Sequence, residues 1–228
     1  MKYSTKYAIT IMAALAAIFV LPAMGQSAQF WSDQANGYFF SGEYEKAAAS
    51  YDKALEQEPN STNLWNNKGK ALANLGRMDD AISCFEKSLS INSSNAEALN
   101  LKAIALSQGL QKYSEAIVLF DRILQMNPSY FDAWIGKGMA LANEDNLYSS
   151  LECFERAIQI NPQDPTAWNN KGVVLREMGR NQDALTCFNK ALSIDSSYEV
   201  ARQNREYTLQ DLDQIAQASP SQSTQNMQ

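Results

Sequence analysis

The sequence predicts an all-α fold built from about five stacked helix–turn–helix repeats, and three observations carry that prediction. The five residues WNNKG occur twice, at 65–69 and 168–172, 103 positions apart. An aromatic recurs at Tyr51, Phe85, Phe120, Phe154 and Phe188, spaced by 34, 35, 34 and 34 residues, which is a period of 34 with a single one-residue insertion. Glycine and proline punctuate the same period, with Gly42, Gly76 and Gly179 inside the repeats and Pro59, Pro128 and Pro162 between them.

Each column has a steric reason. In the first helix of a repeat, Trp31, Trp65, Leu99, Trp134 and Trp168 are followed four positions later by Ala35, Gly69, Ala103, Gly138 and Gly172, on the same helical face. The small residue lets a partner helix approach, and the Trp fills the layer between helices. In the second helix, Ala47, Ala81, Ala116, Ser150 and Ala184 precede the aromatic by four. Glycine ends a helix in the left-handed conformation, and proline stops the second helix. Ser93 and Ser196 stand in for proline within NSSN and DSSY, runs that favour turns.

Two repeats depart from the pattern. The third has Leu99 for Trp, Ile123 at the late small position, and the insertion within SQGLQKY, near residues 109–112. The fourth has Asp145 and Asn146 where the glycine turn is expected, and Ser150 for Ala. Local irregularity is expected at both, with the fold intact.

An aromatic, a small residue, a glycine turn, alanine, an aromatic and proline, every 34 residues, resembles the tetratricopeptide repeat family. The resemblance covers residues 28–198 and implies a right-handed superhelical solenoid with repeats at 28–61, 62–95, 96–130, 131–164 and 165–198. It further implies a concave groove, lined by the first helices, that holds a peptide or an extended segment of a partner protein. The groove positions so implied are Asn63, Asn66, Asn67, Lys70 and Asn74 in the second repeat. The third gives Glu97, Asn100, Leu101, Ile104 and Gln108, and the fourth gives Asp132, Ile135, Met139 and Asn143. The fifth gives Thr166, Asn169, Asn170, Val173 and Arg176.

Asparagine amides donate and accept together, which suits the backbone of an extended ligand, although a solvated helix face also favours them. On this reading the paired asparagines of WNNKG belong to the groove, and its Trp and Gly to the core. Leu101, Ile104, Ile135 and Met139 would form an apolar patch on a face that should be wet, for ligand binding or self-association. Chaperone-binding members of the family hold a C-terminal carboxylate with basic residues. Here Asn36 and Asn67 match two family asparagines, but Ser32, Glu97 and Leu101 occupy the three basic positions, so that activity is not expected.

The ends follow from the same logic, because the last repeat of a stack leaves an apolar face to cover. Residues 199–216 carry Val200, Ala201, Tyr207, Leu209, Leu212 and Ile215 among charges and are expected to form a capping helix. Residues 217–228 have almost no apolar side chains and are expected to be a disordered tail. At the other end, residues 1–25 place Lys2 and Lys6 before an apolar run at 8–21, then Pro22, Ala23 and Gly25. That is the layout of a secretory signal cleaved after Gly25, or of an N-terminal membrane anchor. Either way the chain is expected outside the cytoplasm. Cleavage would leave 17 basic against 25 acidic residues, a net charge of −8.

Composition removes several function classes. The 228 residues include no histidine, which excludes His-based triads, His general bases and His-ligated metals. A net charge of −6 with no cluster of Lys or Arg disfavours nucleic acid and anionic lipid as partners. No cofactor or metal is expected. Cys84, Cys153 and Cys187 all stand just before the aromatic of a second helix. Helices pack about 8–10 Å apart, too far for a disulfide within the chain, so these are read first as small buried apolar residues, with a metal or redox site or a bridge between molecules as the alternatives. The sequons at Asn60 and Asn92 lie in turns between repeats and are either glycan acceptors or ordinary turn residues.

Three functions remain. The first is a secreted or anchored scaffold that binds a protein and does no chemistry. The second is self-assembly through the apolar patch. The third is a hydrolase using carboxylates such as Asp132, Glu144, Asp145 and Glu152, for which the sequence gives no flanking pocket.

Overall fold

Five residues set the frame of the molecule by taking the left-handed backbone conformation: Gly42 (φ 76°), Gly76 (75°), Gln111 (55°), Asp145 (60°) and Gly179 (73°). Each closes the first helix of a repeat and turns the chain into the second. The computed structural model describes residues 27–218, and among these the chain forms eleven α-helices. They are α1 Ala28–Phe40, α2 Tyr44–Gln57, α3 Thr62–Asn74, α4 Met78–Ile91, α5 Ala96–Ile104, α6 Tyr113–Met126, α7 Phe131–Asn143, α8 Leu147–Ile160, α9 Pro165–Glu177, α10 Asn181–Ile194 and α11 Glu199–Ala218. No strand occurs among the described residues, so the predicted all-α class holds. The N-terminal signal or anchor, and the tail from residue 219 on, lie outside the described residues. The expected cap of 199–216 is longer by two residues, because α11 runs on to Ala218.

The chain groups into two compact bodies, one within Met1–Ser93 holding α1–α4, the other within Ser94–Gln228 holding α5–α11. In each body every helix packs against the next in sequence, and in the second body α5 also touches α7, and α7 touches α9. That contact between alternate helices is what a stack of two-helix layers requires.

A long-reaching hydrogen bond spans the turn inside each repeat. The N–H after the left-handed residue reaches back five positions, from Glu43 to Tyr38 O (2.9 Å), Arg77 to Leu72 O (3.0 Å), Asn146 to Leu141 O (2.9 Å) and Arg180 to Leu175 O (2.8 Å). In the third repeat it reaches back six, from Lys112 to Leu106 O (2.8 Å). The inserted residue therefore lies inside this closing loop. The helix takes it up by widening into a π-helical turn, Ala105–Gly109, which begins a little before the expected 109–112. Asp145 takes the glycine role in the fourth repeat, as a short polar residue can.

Helix starts are fixed by side chains. Ser27 Oγ accepts from Phe30 N (3.2 Å), Asn95 Oδ1 from Ala98 N (3.1 Å), and Asp164 Oδ1 from Thr166 N (2.8 Å) and Ala167 N (3.1 Å), with Pro165 at the first position of α9. Ion pairs three residues apart mark the start of several second helices, as in Arg77–Asp80 (2.6 Å) and Arg180–Asp183 (2.7 Å). Exposed as they are, such pairs contribute at most about 0.5 kcal/mol each.

The aromatic column forms the core. Tyr51, Phe85, Phe120, Phe154 and Phe188 are each no more than 1% exposed, and each buried ring stabilises the fold by about 2–3 kcal/mol. The small column is needed to admit them. A Cβ on Gly69 would stand 2.3 Å from the Phe85 ring, one on Gly138 2.8 Å from Phe154, and one on Gly172 2.5 Å from Phe188. In the irregular third repeat Phe120 lies instead against Gly136 of the following repeat, where a Cβ would be 2.4 Å away.

The Trp column departs from expectation. Trp31, Trp65, Trp134 and Trp168 are half-buried rather than core. Three of them donate from Nε1 to a carbonyl six residues back: Trp65 to Pro59 O (2.8 Å), Trp134 to Pro128 O (2.8 Å) and Trp168 to Pro162 O (3.0 Å). A buried indole N–H needs a partner, and the proline turn between repeats supplies one at the helix edge.

Candidate functional site

The expected groove residues lie on the first helices, and their burial divides the asparagine pairs. Asn66 is fully buried, Asn100 is 8% exposed and Asn169 is 3% exposed. The neighbouring Asn67 and Asn170 are half-buried, as is Lys70, while Asn63 is exposed. The expectation that both asparagines of WNNKG face a groove is therefore corrected. The first is a core residue and only the second reaches the surface, while the Trp assigned to the core is half-exposed. The reason is the 100° step between successive helix positions. In the last repeat the residue after Trp points toward α11, so Asn169 Oδ1 accepts from Asn204 Nδ2 (2.9 Å), and Asn169 Nδ2 donates to Asn170 Oδ1 (3.3 Å).

The apolar candidates are partly buried. Leu101, Ile104, Ile135, Met139 and Val173 are all intermediate in exposure. Ile135, Met139 and Val173 pack against a core cluster that includes Phe154, Val174, Leu175 and Phe188. Four candidates meet in one place: Met139, Asn143, Asn170 and Val173 line an open groove of about 200 Å³ between α7 and α9, with Ala142, Phe154 and Glu177. Arg176 lies outside it, in a depression beside α11 with Asn181 and Asp211. Such a groove, apolar along its floor with an amide and a carboxylate at its edges, suits one or two side chains of an extended segment.

Two further clefts were not anticipated, and they are copies of each other. In the first body, Asp52, Trp65, Lys68, Leu72, Arg77 and Asp80 line a cleft of about 410 Å³ above Ser83 and Cys84. In the second, Glu155, Trp168, Lys171, Leu175, Arg180 and Asp183 line one of about 260 Å³ above Thr186 and Cys187. Each residue of the second follows its counterpart by 103, the spacing of the WNNKG copies. The Lys of that motif is the signal. It reaches a carboxylate on the preceding second helix, Lys68 to Asp52 (2.5 Å) and Lys171 to Glu155 (2.8 Å), and Lys137 does the same with Asp121 (2.6 Å). Lys68 also stands 5.4 Å from the Trp65 ring centre, so the motif couples the Trp and an ion pair across the joint between repeats.

The three thiols are free and buried. Burial pushes all three above their ordinary range, Cys153 to about 11, with Lys137 opposing the shift there, and Lys68 and Lys171 opposing it at Cys84 and Cys187. Neutral thiols of this kind are poor nucleophiles and poor metal ligands, in keeping with a packing role. The carboxylates considered for hydrolysis, Asp132, Glu144, Asp145 and Glu152, are all exposed, and Glu144 accepts a hydrogen bond from Ser114 Oγ.

Known proteins place this geometry. Superkiller complex protein 3 of Mus musculus is 28% identical over 129 residues, 57% of this chain and 8% of that protein, so the chain spans less than a tenth of that relative. Among solved structures, PilW, a widely conserved type IV pilus biogenesis factor, superposes with a TM-score of 0.70 at 22% identity, covering 85% of this chain and 95% of PilW. YrrB, a TPR protein with an unusual peptide-binding site, superposes with a TM-score of 0.61 at 24% identity, covering 83% of this chain and 97% of YrrB. These two likenesses are of fold. The tetratricopeptide repeat pattern itself matches residues 32–96, 101–165 and 165–198, well over half of the sequence, and the chain belongs to the tetratricopeptide repeat family.

Proposed function

We propose that this protein is a binding scaffold, secreted or anchored to a membrane through residues 1–25, that holds an extended segment of a partner protein along its first helices and does no chemistry of its own. The observation that carries the reading is the α7–α9 groove, where Met139, Val173 and the Asn170 amide meet at half-buried positions. Apolar area left at such positions is what a docked side chain covers. Family membership supports binding over catalysis, and the peptide-binding site named for YrrB supports a peptide-like ligand. The extracytoplasmic setting rests on the Lys2, Lys6 and apolar 8–21 layout. Among the described residues no helix is long and apolar enough to cross a membrane.

The test is capture of an extracytoplasmic partner by the wild-type chain and by a Met139→Gln, Val173→Thr variant of equal helicity. These changes are mild because both side chains also touch the core. Loss of the captured protein with the variant supports the groove, and undiminished capture sinks it. Light scattering on the same samples separates a monomeric scaffold from a self-assembling chain.

A further inference from the structure

The first helix presents a face that every later repeat hides. Phe30 is 41% exposed, whereas the residues at its position in later repeats, Leu64, Ala98, Ala133 and Ala167, are at most 5% exposed. Two positions on the same side of the helix tell the same story. Nothing lies within 4 Å of where a Cβ on Gly37 would stand, although its counterparts Ala71, Ala105, Ala140 and Val174 are all buried. Tyr38 is half-buried where Leu72, Leu106, Leu141 and Leu175 are core. In later repeats of each body this side packs on the second helix of the repeat before, as α3 does on α2 and α9 on α8.

A second feature points beyond a missing helix. Phe40 is 86% exposed at a position where the other repeats carry Asn74, Gln108, Asn143 and Glu177, all in solvent. Ordinary stacking would never bury this ring. Phe30, Trp31, Tyr38, Phe39 and Phe40 thus crowd a thirteen-residue helix whose one charge is Asp33. Upstream, no charged residue occurs between Lys6 and Asp33, and the apolar run 8–21 ends six residues before α1 begins.

We propose that α1 lies along a lipid bilayer surface, with Phe30, Tyr38 and Phe40 at headgroup level and residues 8–21 anchored deeper, in the acyl layer and out of reach of these rings. Aromatic rings favour that depth. The connection at 22–27 spans at most about 20 Å, so an inserted 8–21 holds α1 at the interface. The same segment folded back onto α1 as a water-borne cap fits less well. It has one polar side chain, Thr10, and a segment so uniformly apolar would leave much of itself in water there. The net negative charge of the chain calls for a zwitterionic surface.

The test uses the full chain reconstituted into phosphatidylcholine vesicles, with a photoreactive benzoylphenylalanine in place of Phe40 or, as control, of Tyr148, which is 76% exposed in the other body. Both side chains are largely exposed, Phe40 touching only the neighbouring Phe39 ring among the described aromatics, so both variants are expected to keep the fold. The expected result is a lipid adduct at 40 in at least tenfold excess over that at 148. An adduct to residues 8–21 would show the fold-back cap instead. A crosslinked dimer would show a second copy on this face, and equal yields at the two sites would show a face open to water. Any of these three results overturns the proposal. None of them bears on the α7–α9 groove, which its own capture experiment tests.

Discussion

The two ends of the repeat array solve the same problem differently. At the C-terminal end α11 starts as though it were the first helix of a sixth repeat. Ala201 and Thr208 are fully buried at the positions of Ala167 and Val174. Arg202 falls in the Trp column, and its guanidinium donates to Ser196 O (2.7 Å), as Trp168 donates to Pro162 O. A charged group has replaced an indole without loss of the hydrogen bond, and Glu206, Asp211 and Asp213 face solvent beyond it. At the N-terminal end no such exchange has occurred, and Phe30 and Phe40 keep their rings where Arg202-like substitutions would have served solubility. A stack needs a polar cover at an end that meets water. Among the described residues the N-terminal end has no such cover, and the proposed bilayer contact would take its place.

That contrast can be broken at several points. The largest effect is expected from truncation after Tyr198, which strips α11 from α9 and α10 and should cost at least about 3 kcal/mol and cause aggregation. Thermal unfolding followed by circular dichroism reads this, and an unchanged midpoint would mean that α11 caps nothing. Next come paired glycine changes. Gly172→Ala drives a methyl into the Phe188 ring and should cost about 1–3 kcal/mol. Gly37→Ala enters open space and should stabilise α1 by about 0.5–1 kcal/mol. Denaturant melts of both variants give the signs directly, and a destabilising Gly37→Ala would reveal a cover on α1 already present in solution. Asn204→Ala removes the donor to Asn169 Oδ1 and should cost about 1 kcal/mol. Phe40→Ser should change stability by less than about 0.5 kcal/mol in solution, which separates any role of that ring from folding.

The repeat architecture was legible because every column recurs and each recurrence is a test of the last. The aromatic core, the glycine clearances and the position of the insertion all follow from spacing. What spacing could not convey is direction around the helix. Asn66 and Trp65 are neighbours in WNNKG, and reading the Trp as core and the Asn as groove reverses their actual burial. Size and polarity both mislead here. The indole is held at the edge by a turn carbonyl, and in the second copy of the motif the buried amide of Asn169 finds its partner on α11. The twin clefts were missed because their residues come from three helices, and only the Lys of the motif pointed to them.

The π-helical turn at Ala105–Gly109 has a consequence for how such an array tolerates change. An extra residue in a regular helix would rotate everything after it by about 100°. Here the closing bond from Lys112 to Leu106 absorbs the residue within one turn, and Ala116 and Phe120 return fully buried. Each repeat therefore resets the phase of the chain, much as a bar line resets a rhythm, and an error in length stays local to the measure in which it occurs.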